Sequence, residues 1–309
     1  MKSVLITGVA GFLGRYVARQ FAQDGWQVFG IDEIAPENVQ LPAVTYRRLS
    51  LPSDVLGDWL REITPQVCVH CAGRASVGLS MEDPRADFQG NVVLVFEVLE
   101  ALRRVAPQCR FLFLSSAAVY GNPAVQPVAE EHAILPLSPY GYHKRQAELL
   151  CEEFTRIHGV PTASVRIFSA YGAGLRRQVI WDICAKIIGG GKLELHGTGA
   201  ESRDFVHAAD IARALVLLAS DAPCDGEVYN FASGREVTIA ELADALVVAC
   251  GADVRPVFNG AATPGNPLHW RADISRIAAL GFAPATSLEE GIRGVAQWCA
   301  AELGGRLRK

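Results

Sequence analysis

Short apolar runs recur along this chain, bounded by glycine and polar residues, and segments with apolar positions every three to four residues lie between them. The first run, over 4–6, predicts a buried strand, and Tyr16, Val17, Phe21 and Ala22 predict an amphipathic helix after it. Strands are expected over 26–31, 44–48 and 66–71, with Ser53 capping a helix that runs to 63. Asp83 and Pro84 open a long helix to about 105, on which Phe88, Val92, Val95, Phe96 and Leu99 fall at helical spacing. A fifth strand over 110–115 completes an alternation that requires a parallel, doubly wound α/β sheet.

The segment over 116–137 is rich in Pro, Ala and Gly and longer than most connections, which places it near a substrate. Ser138 and Pro139 then form a helix start, with Ser as cap and Pro in the first turn, and the helix runs to about 158. A sixth strand follows over 160–167. Beyond 168 glycines break the pattern into short pieces: a helix over 178–188, residues 204–207 leading into a helix over 210–220, and a strand over 228–231. Thr238 caps a helix to about 249, and a helix from about 287 to 303 completes the pattern. We expect a sheet domain formed by 1–167 and about 204–232, and a smaller interleaved lobe formed by 168–203 and 233–309.

Chemistry first enters at the first strand's end, where Gly8, Gly11 and Gly14 have G-x-x-G-x-x-G spacing. Glycines allow a tight turn and close backbone approach, and the helix start presents unpaired N–H groups to a pyrophosphate. Gly8, Gly11, Phe12, Leu13 and Gly14 are therefore candidate dinucleotide contacts. Asp32 ends the second strand, placed to accept hydrogen bonds from an adenosine ribose and to repel a 2′-phosphate, which favours NAD over NADP.

Half of the 309 residues are hydrophobic, enough for a sizeable core, and a net charge of −4 gives no basic field for nucleic acid. No apolar stretch approaches ~18 residues and no basic leader precedes one, so neither membrane spanning nor export is expected. The eight cysteines are dispersed through apolar segments, which fits a reducing cytoplasm. Cys68 and Cys71 have C-x-x-C spacing, but they sit in an apparent strand with no second pair, so core packing is the expectation and no metal is assigned.

Tyr140 and Lys144 lie four residues apart on one helix, so both project from one face. An ammonium near a phenol lowers its pKa and makes it a usable base. Only five lysines occur in the chain, though an exposed helix pair is the alternative. Ser116, at the C-terminal end of the fifth strand, is placed to hold a substrate oxygen, or else to serve as a loop or capping serine.

The glycine turn, Ser116, Tyr140 and Lys144 in this order resemble the extended short-chain dehydrogenase/reductases, specifically the NAD-dependent nucleotide-sugar epimerase/dehydratase family. Residues 7–14, 70–73, 115–121, 138–144, 166–168 and 203–207 carry the resemblance across nearly the whole chain. It implies a Rossmann domain holding NAD, a lobe holding a nucleoside-diphosphate sugar, and a homodimer formed through the helices over 84–105 and 138–158. Tyr140 would take the proton of the sugar 4-hydroxyl, Lys144 would lower its pKa and hold the nicotinamide ribose, and Ser116 would bond the reacting oxygen. By position Ala72, Gly73, Asn91 and Ser115 would flank the cofactor. Ser76 would lie near the sugar hydroxyls, and Arg203 would meet the diphosphate unless it pairs with Asp204 or Glu201.

The chain departs from the family pattern at several places. Ala117 and Ala118 stand where 4,6-dehydratases carry acids, Ser169 where Asn is usual, Ser50 where an adenine-binding Asp is usual, and 263–267 lacks an Arg often found there. Arg176, Arg177 and Gln178 are possible stand-ins for the missing diphosphate contacts. The leading expectation is an NAD-dependent C4 epimerase. A 4-keto-sugar reductase would share the motifs, but Asp32 argues against NADPH. A non-catalytic dinucleotide sensor would have no need of the Ser116, Tyr140 and Lys144 set.

Overall fold

The computed structural model describes residues 2–261 and 267–304. The first half of the chain alternates strand and helix: β1 (Ser3–Thr7), α1 (Phe12–Gln23), β2 (Gln27–Asp32), β3 (Val44–Arg48), α2 (Val55–Ile63) and β4 (Val67–His70). Next come α3 (Val77–Glu82), α4 (Pro84–Phe88), α5 (Leu94–Val105), β5 (Arg110–Ser116), α6 (Pro139–His158) and β6 (Thr162–Ile167). The remainder comprises β7 (Ser169–Tyr171), α7 (Gln178–Ile188), β8 (Leu193–Leu195), β9 (Ser202–His207), α8 (Ala208–Asp221) and β10 (Asp225–Phe231). It ends with β11 (Glu236–Thr238), α9 (Ile239–Ala249), β12 (Pro256–Phe258), α10 (Ser275–Ala278) and α11 (Leu288–Glu302).

Seven strands form one sheet in the order β10-β6-β5-β4-β1-β2-β3, with every neighbouring pair parallel. This is the doubly wound Rossmann architecture the alternation predicts. Strand order reverses at β1 and β4, so the crevice for a ligand opens between their C-terminal ends. One face of the sheet buries Val17, Phe21, Ile211 and Leu215 from α1 and α8, and the other buries Leu60, Leu99, Leu102 and Phe154 from α2, α5 and α6. β10 returns to the sheet beside β6, so the chain leaves the sheet after β6 and comes back.

A second, smaller core gathers Ile183, Leu242, Leu246, Ile292 and Val295 from α7, α9 and α11. Beside it lie a sheet in the order β11-β9-β7 and a pair, β12 and β8. Thr238 caps α9 as expected, forming a capping box with Glu241, and the Ser287 hydroxyl accepts from the Glu290 N–H.

Two local expectations need correction and one holds. The helix expected over 84–105 is divided by a π-turn at Gln89–Val93. Gly90, a weak helix former, sits within it, and the extra residue per turn rotates Asn91 inward. Helix α2 runs from Val55, and Ser53 caps it as expected: its Oγ accepts from the Val55 N–H at 3.3 Å, while Asp54 already has helical φ and ψ and makes no side-chain cap. The sixth strand starts at Thr162, since Val160 N–H still bonds the Phe154 carbonyl of the preceding helix end.

Candidate active site

The glycine turn fits a dinucleotide pyrophosphate. Gly8 has φ +65°, and a Cβ there would lie 2.7 Å from Ala72 Cα, while one on Gly14 would lie 2.2 Å from the Gly8 carbonyl oxygen. Helix α1 begins after Gly11 with no side-chain cap and no acid in its first turn. The amides of Phe12, Leu13 and Gly14 therefore stand at a positive, uncapped helix start. Asp32 is fastened next to this turn: its Oδ2 accepts from the Ala10 N–H at 3.0 Å and its Oδ1 from the Glu33 N–H at 2.9 Å.

The opposite lip comes from β4. Thr7 Oγ1 lies 2.9 Å from His70 Nδ1 and accepts from the Ala72 N–H at 3.2 Å, which locks the ends of β1 and β4 together. Burial pushes His70 down to about 3, so the ring is neutral, and pushes the Cys71 thiol up to about 12. Burial likewise pushes the Cys68 thiol well above its ordinary range. Gly73 has φ +133° and room only for hydrogen, since a Cβ would meet Asn91 Oδ1 at 2.9 Å. Asn91 is 1% exposed, and neither side-chain atom has a hydrogen-bond partner among the described residues. Such an orphaned amide beside the crevice is what a bound polar group would satisfy.

Helix α6 carries the second set. Ser138 Oγ accepts from the Gly141 N–H at 3.3 Å and Pro139 opens the first turn. The turn docks at two points. Tyr140 N–H donates to Ser80 Oγ at 3.1 Å, and a Cβ on Gly141 would lie 2.6 Å from the Ala118 carbonyl oxygen. Tyr140 is 9% exposed and Lys144 6%. The Lys144 ammonium donates to the Leu114 carbonyl at 2.9 Å and sits 4.8 Å from the Phe113 ring and 5.8 Å from the Tyr140 ring.

The expected lowering of the Tyr140 pKa does not hold in this geometry. Burial raises it; hydrogen bonding with Ser116 and the charge of Arg177 pull it back, and Asp87 adds to the rise. Lys144 points its charge at the Leu114 carbonyl, and burial lowers its own pKa to about 8.

Other expected residues fall into two groups. Ser115 is corrected: its hydroxyl, 3% exposed, donates to Glu148 Oε1 at 2.6 Å, because alternate side chains of a strand face opposite sides. Glu148 also receives Arg166 through Nε at 2.9 Å and Nη2 at 2.8 Å, so Ser115 belongs to a buried structural network. Arg176 is likewise committed, to Glu302 at 2.6 Å. Ser76 caps α3, accepting from the Leu79 N–H at 3.2 Å, and this helix is absent from the sequence reading.

Arg203 pairs with neither Asp204 nor Glu201 among the described residues. It donates to the Ser202 and Leu268 carbonyls and lies 5.5 Å from the Trp270 ring. Asp204 instead accepts from Ser233 and from the Gly234 and Ala272 amides, and Glu201 from the Thr198 and Gly199 amides. Arg177 Nη1 donates to the Ala75 carbonyl at 2.7 Å, bridging the smaller lobe to the loop after β4. Exposed Gln178 opens α7 with φ +69°, and half-buried Ser169 starts β7 beside Phe205. Exposed Ser50 follows β3. The departure over 263–266 lies outside the described residues.

A sequence profile described as the NAD dependent epimerase/dehydratase family matches residues 4–232. The chain is 28% identical to a UDP-glucose 4-epimerase of Mycolicibacterium smegmatis, over 93% of this chain and 95% of that one. Among solved structures, it is similar to the UDP-glucose 4-epimerase of Thermotoga maritima with UDP-glucose, at TM-score 0.89 and 26% identity over 97% of this chain and 99% of that one. It is also similar to the UDP-glucuronic acid 4-epimerase of Bacillus cereus with UDP-glucuronic acid and NAD, at TM-score 0.89 and 25% identity over 97% and 99% of the two chains.

Proposed function

The chain belongs to the NAD dependent epimerase/dehydratase family, and on that premise we propose how its residues carry out NAD-dependent epimerisation at C4 of a nucleoside-diphosphate sugar. When bound, NAD supplies reversible hydride transfer at C4 through a transient 4-keto sugar. Gly8, Gly11, Phe12, Leu13 and Gly14 hold its pyrophosphate, Asp32 its adenosine ribose, and Ala72, Gly73, Asn91, Tyr140 and Lys144 its nicotinamide half. Tyr140 Oη takes the 4-hydroxyl proton and later returns it, and the Ser116 hydroxyl holds the reacting oxygen.

The observation that carries this reading is the buried Tyr140, with Lys144 one turn behind and Ser116, whose Oγ accepts from the Ala118 N–H at 3.2 Å, at the end of β5, in a crevice whose other wall is an uncapped glycine-rich helix start. An epimerase returns to the sugar what it removes, so a phenol closed off from bulk water suits it. Ala117 and Ala118, buried after Ser116, offer no acid or base for dehydration at C5 and C6.

The substrate's nucleotide is a uridine diphosphate, as in the relatives above, with Ser76 and Ser116 assigned to the sugar and Ser169, Gln178 and Arg203 to its diphosphate. The sheet domain comprises 1–167 and about 204–232, with the remainder as substrate lobe. The protein is a cytoplasmic homodimer. Phe88 and Phe96 on the 84–105 segment are each 40% exposed, and Tyr142 and Leu149 on α6 are 56% and 46% exposed, which gives adjoining helices an apolar outer face.

Proton NMR of the protein with catalytic NAD and UDP-glucose, UDP-N-acetylglucosamine or UDP-glucuronate tests the reading. A new anomeric signal of the C4 epimer at constant total sugar supports it and names the sugar. Oxidation of added NADH by a 4-keto sugar, with no epimer from any of these, would replace it with a reductase.

A further inference from the structure

The loop between β7 and α7 lies across the crevice and is fastened on both of its lips. On the α1 side, Tyr16, one turn into the helix whose start faces the pyrophosphate, donates through Oη to the Ala173 carbonyl at 3.0 Å. Its ring meets Phe12 edge-on at 5.6 Å and His207 at 5.9 Å, which aims the hydroxyl at the loop. The fit is close: a Cβ on Gly172 would lie 3.0 Å from Tyr16 Oη, and one on Gly174 3.8 Å from the Phe12 ring. On the β4 side, Arg177 Nη1 donates to the Ala75 carbonyl at 2.7 Å. Residues 172–177 therefore run from the helix after β1 to the loop after β4, the two strands whose ends bound the crevice.

The segment is rooted in the smaller lobe. Tyr171, just before it, is 2% exposed and packs on α11, where a Cβ on Gly291 would lie 2.2 Å from its Oη. Gly172 and Gly174 follow with φ +154° and +100°, conformations that other residues rarely adopt, so the chain turns within the loop rather than in β7. Resting on the reading that NAD lies in this crevice, we propose that 172–177 is a strap closed over the dinucleotide, with Tyr16 and Arg177 as positioning residues that latch it, so that cofactor exchanges only when the strap lifts. Each latch is one hydrogen bond to a backbone carbonyl, so the strap opens locally while both cores stay packed. Such a closure suits a reaction that returns hydrogen to the carbon it came from, because it keeps cofactor and keto sugar together between the two transfers.

Stopped-flow fluorescence of the full-length protein tests the strap. Mixing with NADH gives the association rate, and chasing bound NADH with excess NAD gives the dissociation rate. In Tyr16→Phe both rates rise by roughly 2–10-fold, the contribution of one neutral hydrogen bond, and in Arg177→Met by about tenfold or more, because that donor is charged. The dissociation constant stays within about twofold of wild type, since a gate changes both rates together, whereas a lost ligand contact acts mainly on dissociation. Thermal melting identifies the folded variants. Folded variants that exchange NADH at wild-type rates, or that change dissociation alone, would overturn the proposal. Exchange is read without sugar, so it is separate from the epimerase reading. Wild type that binds no NADH would remove the dinucleotide site and the strap together, while NADH binding with unchanged exchange removes the strap alone.

Discussion

The Lys144 ammonium hydrogen-bonds the carbonyl oxygen of Leu114 at 2.9 Å, which ties the start of α6 to the strand that carries Ser116 two residues further on. One contact thus helps fix the spacing between the serine hydroxyl and the Tyr140 phenol. It also keeps a cation in an apolar setting, between the Phe113 and Tyr140 rings.

That burial has a cost visible in stability. The Lys144 pKa is lowered from 10.5 to about 8, so the folded protein sheds a proton that the unfolded chain retains between those values. By linkage, the penalty is fully present below pH 8 and is relieved as pH rises from 8 to 10.5. Lys144→Met should therefore be inactive yet more stable at pH 7, by up to about 3 kcal/mol at 1.36 kcal/mol per unit. Urea titrations at pH 7 and pH 10 check this, and the variant's advantage should shrink at the higher pH.

Removing the phenol tests its role as the base. Tyr140→Phe should lower kcat by roughly 10²–10⁴-fold, the range for a positioned acid–base group, with KM within a few-fold of wild type. Steady-state kinetics with the sugar named by NMR give the answer, and a loss confined to KM would instead indicate a binding role.

The network around Glu148 should matter for folding rather than chemistry. Glu148 receives Ser115 and both arms of Arg166, and Arg166 Nη1 continues to Tyr120 Oη at 2.9 Å, which donates to Asn230 Oδ1 at 2.7 Å. Removing one charge leaves the other buried, so Arg166→Met should destabilise by about 3–5 kcal/mol. Ser115→Ala should cost about 1 kcal/mol. Thermal and urea denaturation separate the two.

Much of this was legible in the sequence because period-2 and period-3.6 patterns, caps and glycine spacing are local. The sheet, the start of α6 at Ser138 and Pro139, and the turn at Gly8, Gly11 and Gly14 all follow from neighbouring residues. What was not legible depends on partners distant in the chain. The hydroxyl of Ser115 turns to Glu148, Lys144 turns to Leu114, and burial raises the phenol of Tyr140. The π-turn at Asn91 left only Gly90 as a sign. His143 and Asp87 meet across 56 positions, and nothing in the spacing around either residue announces the other.

The glycine turn offers a binding test. A Cβ on Gly14 would lie 2.2 Å from the Gly8 carbonyl oxygen, so Gly14→Ala must displace the turn. NAD affinity should fall at least about tenfold, or about 1.4 kcal/mol, by calorimetry. Unchanged affinity would place the dinucleotide elsewhere.

In C4 epimerisation hydrogen leaves sugar C4 and returns to the same carbon. The direct measurement uses the UDP-sugar that turns over, deuterated at C4, with catalytic NAD in ordinary water, followed by mass spectrometry and NMR of the epimer. The expected product is an epimer that retains its deuterium at C4, with no net NADH. Loss of the deuterium to water, or its accumulation in a pool of reduced cofactor, would contradict it.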